Sequence, residues 1–235
     1  MKFDAKASSY TAHASVQESA ANWCAEWLGS DYFGKTALEL GAGTGFFTRH
    51  LVGRKFRRVI ATDRSSNMID EGAKSIDGAD WKLMDAWDPE PIKVDGLFST
   101  SLLQWASNPL SVLRKWRSLL KADGEFLFSL FILGSLEEFT SADERFSAVR
   151  WLTVDSLLEY LKQAEYSISR YEVKEERMHF SSAREALHSL HDIGAVEENR
   201  MTASELSRFL DRCDQKYASP FPLTWKICRI AGVAG

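Results

Sequence analysis

Three glycines, Gly41, Gly43 and Gly45, occupy alternate positions in ALELGAGTGFFTRHL (residues 37–51), directly after a short apolar run and ahead of a helix-type segment. Glycine permits backbone angles and close approaches that a Cβ forbids. A turn of this kind between strand and helix presents backbone N–H groups and the positive helix end to whatever lies beyond the sheet. That is the chemistry of holding a small polar ligand. Two carboxylates accompany it: Asp63 closes RVIATD, 18 residues after Gly45, and Asp85 closes WKLMD. At the end of a second strand a carboxylate can accept both hydroxyls of a ribose in charge-assisted hydrogen bonds.

The spacing narrows the ligand. A dinucleotide fingerprint reads G-x-G-x-x-G, its third glycine allowing helix to pack on strand. Here the register is G-x-G-x-G, with Phe46 where that glycine would stand. No Lys-Ser/Thr pair follows to make a phosphate loop, so a nucleoside triphosphate fits less well still. Met68 and Trp87 lie where an adenine could be sandwiched, and both also suit core or rim. No base constellation accompanies the turn. His188 and His191 stand three apart on a helix-type stretch, but no third ligand has matching spacing, so no metal is expected.

Composition closes other routes. The chain of 235 residues carries a net charge of −4 with no long basic block, which argues against nucleic acid. Cys24, Cys213 and Cys228 are odd in number and scattered, pointing to a reducing, cytoplasmic compartment. No apolar run is long enough to cross a bilayer, and no membrane association is expected.

The elements that must position these groups alternate. Residues 14–28 read as an amphipathic helix closed by Gly29. Strand-type runs follow at 36–40, 58–62, 81–85, 95–100 and 124–131. Helices lie between them, one capped by Ser65 or Ser66 and running to Lys74, another starting at Asn108-Pro109 and running through Leu120. After Gly134 the rhythm changes: 135–165 and 181–212 each give two helix-like stretches, 167–180 reads as strand, and 221–233 is a last strand. This predicts an α/β fold with an open, mostly parallel seven-stranded sheet, helices on both faces and a helical cap inserted after strand five. A single domain over 1–235 is expected, with 1–30 as an N-terminal lid helix, 135–212 as the cap, and a monomer as the resting state.

The string Glu39-Leu-Gly41-Ala42-Gly43-Thr-Gly45 resembles the first motif of class I S-adenosylmethionine-dependent methyltransferases, which have a Rossmann-like fold. That resemblance implies S-adenosyl-L-methionine as cofactor, held by Glu39, Gly41, Ala42, Gly43, Gly45, Asp63, Arg64 and Met68. Asp85 and Ala86 would hold the adenine amino group.

Longer stretches, STSLLQWASNPLSVLRKWRSLLKADGEFLFSLFILGSLEEF (99–139), FDAKASSYTAHASVQ (3–17), RWLTVDSLLEYL (150–161), ALHSLHDIGA (186–195) and FPLTWK (221–226), are similar to the malonyl-acyl-carrier-protein O-methyltransferases of biotin synthesis. This implies methylation of the free carboxylate of malonyl-acyl-carrier protein or malonyl-CoA. A carboxylate of pKa about 4 is ionised at neutral pH and needs orientation rather than a base.

Arg150 is the expected carboxylate anchor, because a guanidinium offers a planar fork to both oxygens. Tyr10 is expected in a lid, Gln104 and Trp105 at the sheet edge where the methyl emerges. Arg170, Lys174, Arg177, Arg184 and Arg200 are candidates to steer an acidic carrier protein. The alternatives are methylation of another small carboxylic acid of aconitate type, and a protein that binds the cofactor without catalysis.

Overall fold

The computed structural model describes residues 14–143, 146, 151–194, 201–217 and 219–235. Among the described residues, fifteen helices and strands besides one short 3-10 turn (Leu103–Trp105) are arranged around one sheet. They run α1 (Ser15–Ala25), β1 (Thr36–Leu40), α2 (Thr48–Val52), β2 (Arg58–Asp63), α3 (Ser66–Ser75), β3 (Asp80–Leu83), β4 (Val94–Thr100) and α4 (Pro109–Arg117). They continue with β5 (Leu120–Phe131), α5 (Glu137–Thr140), α6 (Val154–Gln163), β6 (Tyr166–Phe180), α7 (Ala183–Asp192), α8 (Ala203–Lys216) and β7 (Phe221–Ala234).

The seven strands lie in the order β3-β2-β1-β4-β5-β7-β6. β1 to β5 are parallel, while β7 runs antiparallel to both β5 and β6. The strand order reverses between β1 and β4, so the turns leaving these two strands diverge and open a crevice at the carboxyl edge. β1 is buried at every position and Ala37, Leu38, Leu40, Val94, Leu97 and Phe98 fill its surroundings, as a central strand covered on both faces requires.

Some boundaries differ from the sequence reading, each for a local reason. β3 ends at Leu83: Met84 N–H makes one more bond to β2, at Asp63 C=O and 2.9 Å, and Asp85 then takes the N–H of Trp87 on its own side chain, at 3.0 Å, turning the chain away. α4 ends at Arg117, with the Ser118 N–H shared among the last carbonyls, and β5 already starts at Leu120, opposite Val94. The stretch after α1 is a tighter turn, Trp27 and Leu28 bonding back three residues, before Gly29.

Two anchors tie the outer elements to the sheet. The guanidinium of Arg229 on β7, 5% exposed, lies between the Trp23 and Trp27 rings at 4.1 and 4.3 Å, pairs with Glu172 at 2.6 Å and Glu26 at 3.0 Å, and donates to the Trp23 carbonyl. It fastens the C-terminal half of α1 to the sheet. On the other side of the cap, Glu138 accepts from the N–H and hydroxyl of Thr224 at 3.0 and 2.5 Å. Leu136, in the left-handed region at φ 56°, bonds the Thr224 carbonyl, so the chain after β5 is held against β7. Around it Phe139, Phe146, Phe209 and Phe221 form the aromatic floor of the cap.

Candidate functional site

The crevice holds a cavity of about 460 Å³. Its walls come from the ends of the four strands that flank the switch point and from α1. Gly41, Ala42, Gly43 and Thr44 supply the turn after β1, and Asp63, Arg64, Ser65 and Ser66 the end of β2. Leu83 to Trp87 follow β3, Thr100 to Leu102 follow β4, and Gln17, Phe46, Met68 and Trp105 complete it.

The glycines do three different things. A Cβ on Gly41 (φ 72°) would lie 2.6 Å from Leu102 Cδ2, and one on Gly45 (φ 96°) 2.4 Å from Ile76 Cδ1 and 3.0 Å from the Trp81 ring. Only above Gly43 (φ 56°) is there open space. The turn therefore packs on the fold at its two ends and exposes its middle to the cavity.

Asp63 organises that middle. Its Oδ2 accepts from Gly43 N–H at 3.0 Å and its Oδ1 from Ser65 N–H at 2.9 Å, each oxygen keeping further acceptor capacity. Burial raises its pKa, while the backbone N–H groups of Ser65, Gly43 and Arg64 oppose the rise. Ser65 caps α3 by accepting from Met68 N–H at 3.2 Å, which brings Met68 into the wall. On the facing wall the loop after β3 is pinned from below: Trp116 Nε1 donates to Ala86 C=O at 2.7 Å, Lys115 reaches Trp87 C=O at 3.0 Å, and the Trp116 and Trp87 rings run parallel.

Of the residues expected from sequence, Gly41, Ala42, Gly43, Asp63, Arg64, Met68, Asp85, Ala86 and Trp105 share this one cavity. Glu39, Gly45 and Gln104 do not line it. Glu39 lies under the turn, fully buried, its Oε2 taking the Thr48 hydroxyl at 2.6 Å and its Oε1 unpartnered. Burial, with Asp63 nearby, pushes its carboxyl up to about 8. Gln104 is buried behind the wall and donates to the Ser101 carbonyl at 2.8 Å. Tyr10 and Arg150 lie outside the described residues.

Of the candidate steering cations, Arg170 stacks on Trp27, Lys174 pairs with Glu176 at 3.0 Å, and Arg177 pairs with Glu175 at 2.7 Å. Arg184 is exposed on α7, and Arg200 lies outside the described residues.

Sequence reasoning missed Gln17 and Ser101, two cavity residues with unpartnered buried oxygens. Nothing in the local pattern marks either; a Gln in the first turn of a helix reads as an ordinary capping-box partner.

Residues 38–128 match the family model described as a methyltransferase domain. The chain has the fold of class I methyltransferases. Its matched segment runs from β1 into β5 and so contains the glycine turn, Asp63, Asp85 and the β4 end. The chain is 28% identical over 213 residues to a biotin biosynthesis bifunctional protein of Cellvibrio japonicus, covering 87% of this chain and 42% of that one. It is 31% identical over 148 residues to a malonyl-[acyl-carrier protein] O-methyltransferase of Priestia megaterium, covering 60% and 53%. The chain thus spans about half the length of these relatives.

Among solved structures it is similar to the YcgJ protein of Bacillus subtilis, with a TM-score of 0.67, 12% identity, and 92% and 98% of the two chains covered. It is also similar to a geranyl diphosphate methyltransferase in complex with SAM, with a TM-score of 0.60, 12% identity, and 93% and 85% covered. At these identities the structures speak for the fold. Among the described residues no helix is long and apolar enough to cross a membrane.

Proposed function

We propose that the domain transfers a methyl group from S-adenosyl-L-methionine to the free carboxylate of a malonyl thioester, on acyl-carrier protein or CoA, in the reducing cytoplasm. The observation that carries the donor is Asp63: a carboxylate at the end of β2, bound to the Gly43 N–H of an open glycine turn and facing a cavity of about 460 Å³. Such a volume suits a small cofactor.

The residues fit that donor. Asp63 retains lone pairs for two ribose hydroxyls, and the missing side chain of Gly43 leaves open space for close approach. Met68 and Leu83 offer apolar surface to a base, with Asp85 and Ala86 at its polar edge. When bound, the donor supplies a methyl group already activated on a sulfonium. The protein's task is then to hold the acceptor in line, exclude water and leave the carboxylate ionised.

Trp105 walls the cavity beyond β4, and Gln104 braces the wall from behind. Arg150 is assigned to the acceptor carboxylate and Tyr10 to the lid, both from the resemblance. The similarity to malonyl-[acyl-carrier protein] O-methyltransferases supports the acceptor.

The test is transfer of labelled methyl to malonyl-acyl-carrier protein, malonyl-CoA and a panel of free acids including aconitate. Transfer to the malonyl thioesters is expected, falling about a hundredfold or more in Arg150→Ala while donor affinity measured by calorimetry is kept. Methylation of a free acid with none on either thioester overturns the proposed acceptor. Donor binding without turnover on any acid makes this a cofactor-binding protein instead.

A further inference from the structure

β6 is the last strand of the sheet, and among the described residues no strand pairs with its outer edge. It runs for 15 residues, and those from Ser169 to Val173 are all exposed. A long open edge is a template for another strand, because its outward N–H and C=O groups have no ladder to join. Two large apolar side chains stand at its middle, Tyr171 at 50% exposure and Val173 at 41%. Neither lines the crevice at the carboxyl edge of the sheet.

Charges of alternating sign surround them. Arg170, Glu172, Lys174 and Glu176 follow at every second residue and share one face of the strand, while Tyr171, Val173 and Glu175 share the other. The bulge between Ile168 and Arg170 ends before this stretch, so its pairing with β7 is regular. The four charged groups are held on their face by their own chain: Arg170 stacks on Trp27, Glu172 Oε2 pairs with Arg229, and Lys174 lies 3.0 Å from Glu176 Oε2. A guanidinium over a ring still has N–H groups to donate, and each carboxylate has a second oxygen.

In an antiparallel pair, residues directly opposite each other lie on the same face, so a two-fold axis joining two copies of one strand passes through a residue. An axis through Val173 sets Arg170 opposite Glu176 and Glu172 opposite Lys174, each pair occurring twice, with Val173 against its own copy. Shifting the axis to Glu172 sets Arg170 opposite Lys174, and shifting it to Lys174 sets Glu172 opposite Glu176. Like charges directly opposed are unfavourable. The complement of Arg-Glu-Lys-Glu is Glu-Lys-Glu-Arg, which is this strand read backwards.

We propose that the protein forms a symmetric dimer in which β6 pairs with β6 of a second copy about Val173, joining the two sheets into one. Main-chain hydrogen bonds supply the affinity, and the four ion pairs, each weak because exposed, fix the register. The dimer takes the place of the monomer expected from sequence. Arg170 and Lys174, read there as docking cations for a carrier protein, then lie at the join.

Sedimentation equilibrium on the full chain over about 1–200 µM tests this with the wild type, Arg170→Glu, Glu176→Arg and an equimolar mixture of the two variants. The wild type should reach twice the chain mass at the upper concentrations. Arg170→Glu sets Glu opposite Glu176, and Glu176→Arg sets Arg opposite Arg170, so each should raise the dimer dissociation constant about tenfold or more. In the mixture both pairs are again of opposite sign, and the dimer should return at near wild-type affinity. Its return also shows that both variants fold with the edge intact.

Hydrogen exchange read by mass spectrometry examines the same edge without substitution. Residues 170–176 of the wild type should exchange more slowly at the upper concentration than at the lower. A wild type that stays a monomer throughout the range overturns the proposal. So does a wild-type dimer whose exchange at 170–176 does not change with concentration, or whose affinity both variants retain.

Discussion

At position 39 a carboxyl group is sealed beneath the glycine turn, one oxygen on the Thr48 hydroxyl and the other on nothing. The motif presents Glu39 as a cofactor contact, yet the side chain points away from the cavity lining; which side of β1 it took depended on packing. Burial lifts its pKa from an ordinary 4.5 to about 8. The folded state therefore holds the proton more tightly than the unfolded chain. The resulting stability is fully present below the unfolded value and is lost as pH rises toward the folded one. Glu39→Gln, neutral at every pH, should show a flatter melting temperature than wild type between about pH 5 and pH 8, with its relative advantage growing toward pH 8. Thermal unfolding in a buffer series measures this, and parallel curves would refute it.

The strand-turn-helix unit from β1 to α2 shows how one pattern of residues serves several forces. All three glycines were legible as a ligand turn, but only Gly43 meets open space. Gly41 and Gly45 yield to Leu102, Ile76 and Trp81, side chains distant in sequence that no local reading could pair with them. Alanine substitutions should separate these roles. Gly45→Ala should lower stability by about 2 kcal/mol or more, through strain at φ 96° and overlap with Ile76 and Trp81. Gly43→Ala should cost only about 1–2 kcal/mol from its left-handed backbone, yet weaken S-adenosylhomocysteine at least about tenfold by placing a methyl in the cavity. Denaturant unfolding and calorimetry on the same two proteins decide it; equal effects in both assays would erase the distinction.

Across the whole molecule the cavity depends on contacts between the chain's two ends. Gln17 reaches its wall because α1 is fastened by Arg229, more than two hundred positions away in sequence, through Trp23, Trp27, Glu26 and Glu172. Both carboxylates are half or more exposed, so removing the cation strands no buried charge; what is lost is mainly the stacking and the buried stem. Arg229→Met is expected to cost about 1–3 kcal/mol. It should also weaken S-adenosylhomocysteine, because α1 contributes Gln17 to the cavity wall. Unchanged affinity by calorimetry would detach α1 from the site. The same clamp explains why Arg170 and Lys174, readable in sequence as docking charges, are engaged with Trp27 and Trp23 instead.

The alternation of apolar runs with helix-type segments, the glycine spacing and the acids at 63 and 85 determined, without coordinates, the sheet, the crevice and about half of the residues lining it. These are local signals: period, turn chemistry and strand ends survive in a short window. What tertiary structure alone decided is which polar atoms were left without partners. The side-chain oxygens of Gln17, Ser101, Gln104 and Ser129 have lost water and gained no partner, a fact set by burial and not by residue type. The upward shift of Glu39's pKa has the same origin, since desolvation belongs to the packed molecule and not to the side chain.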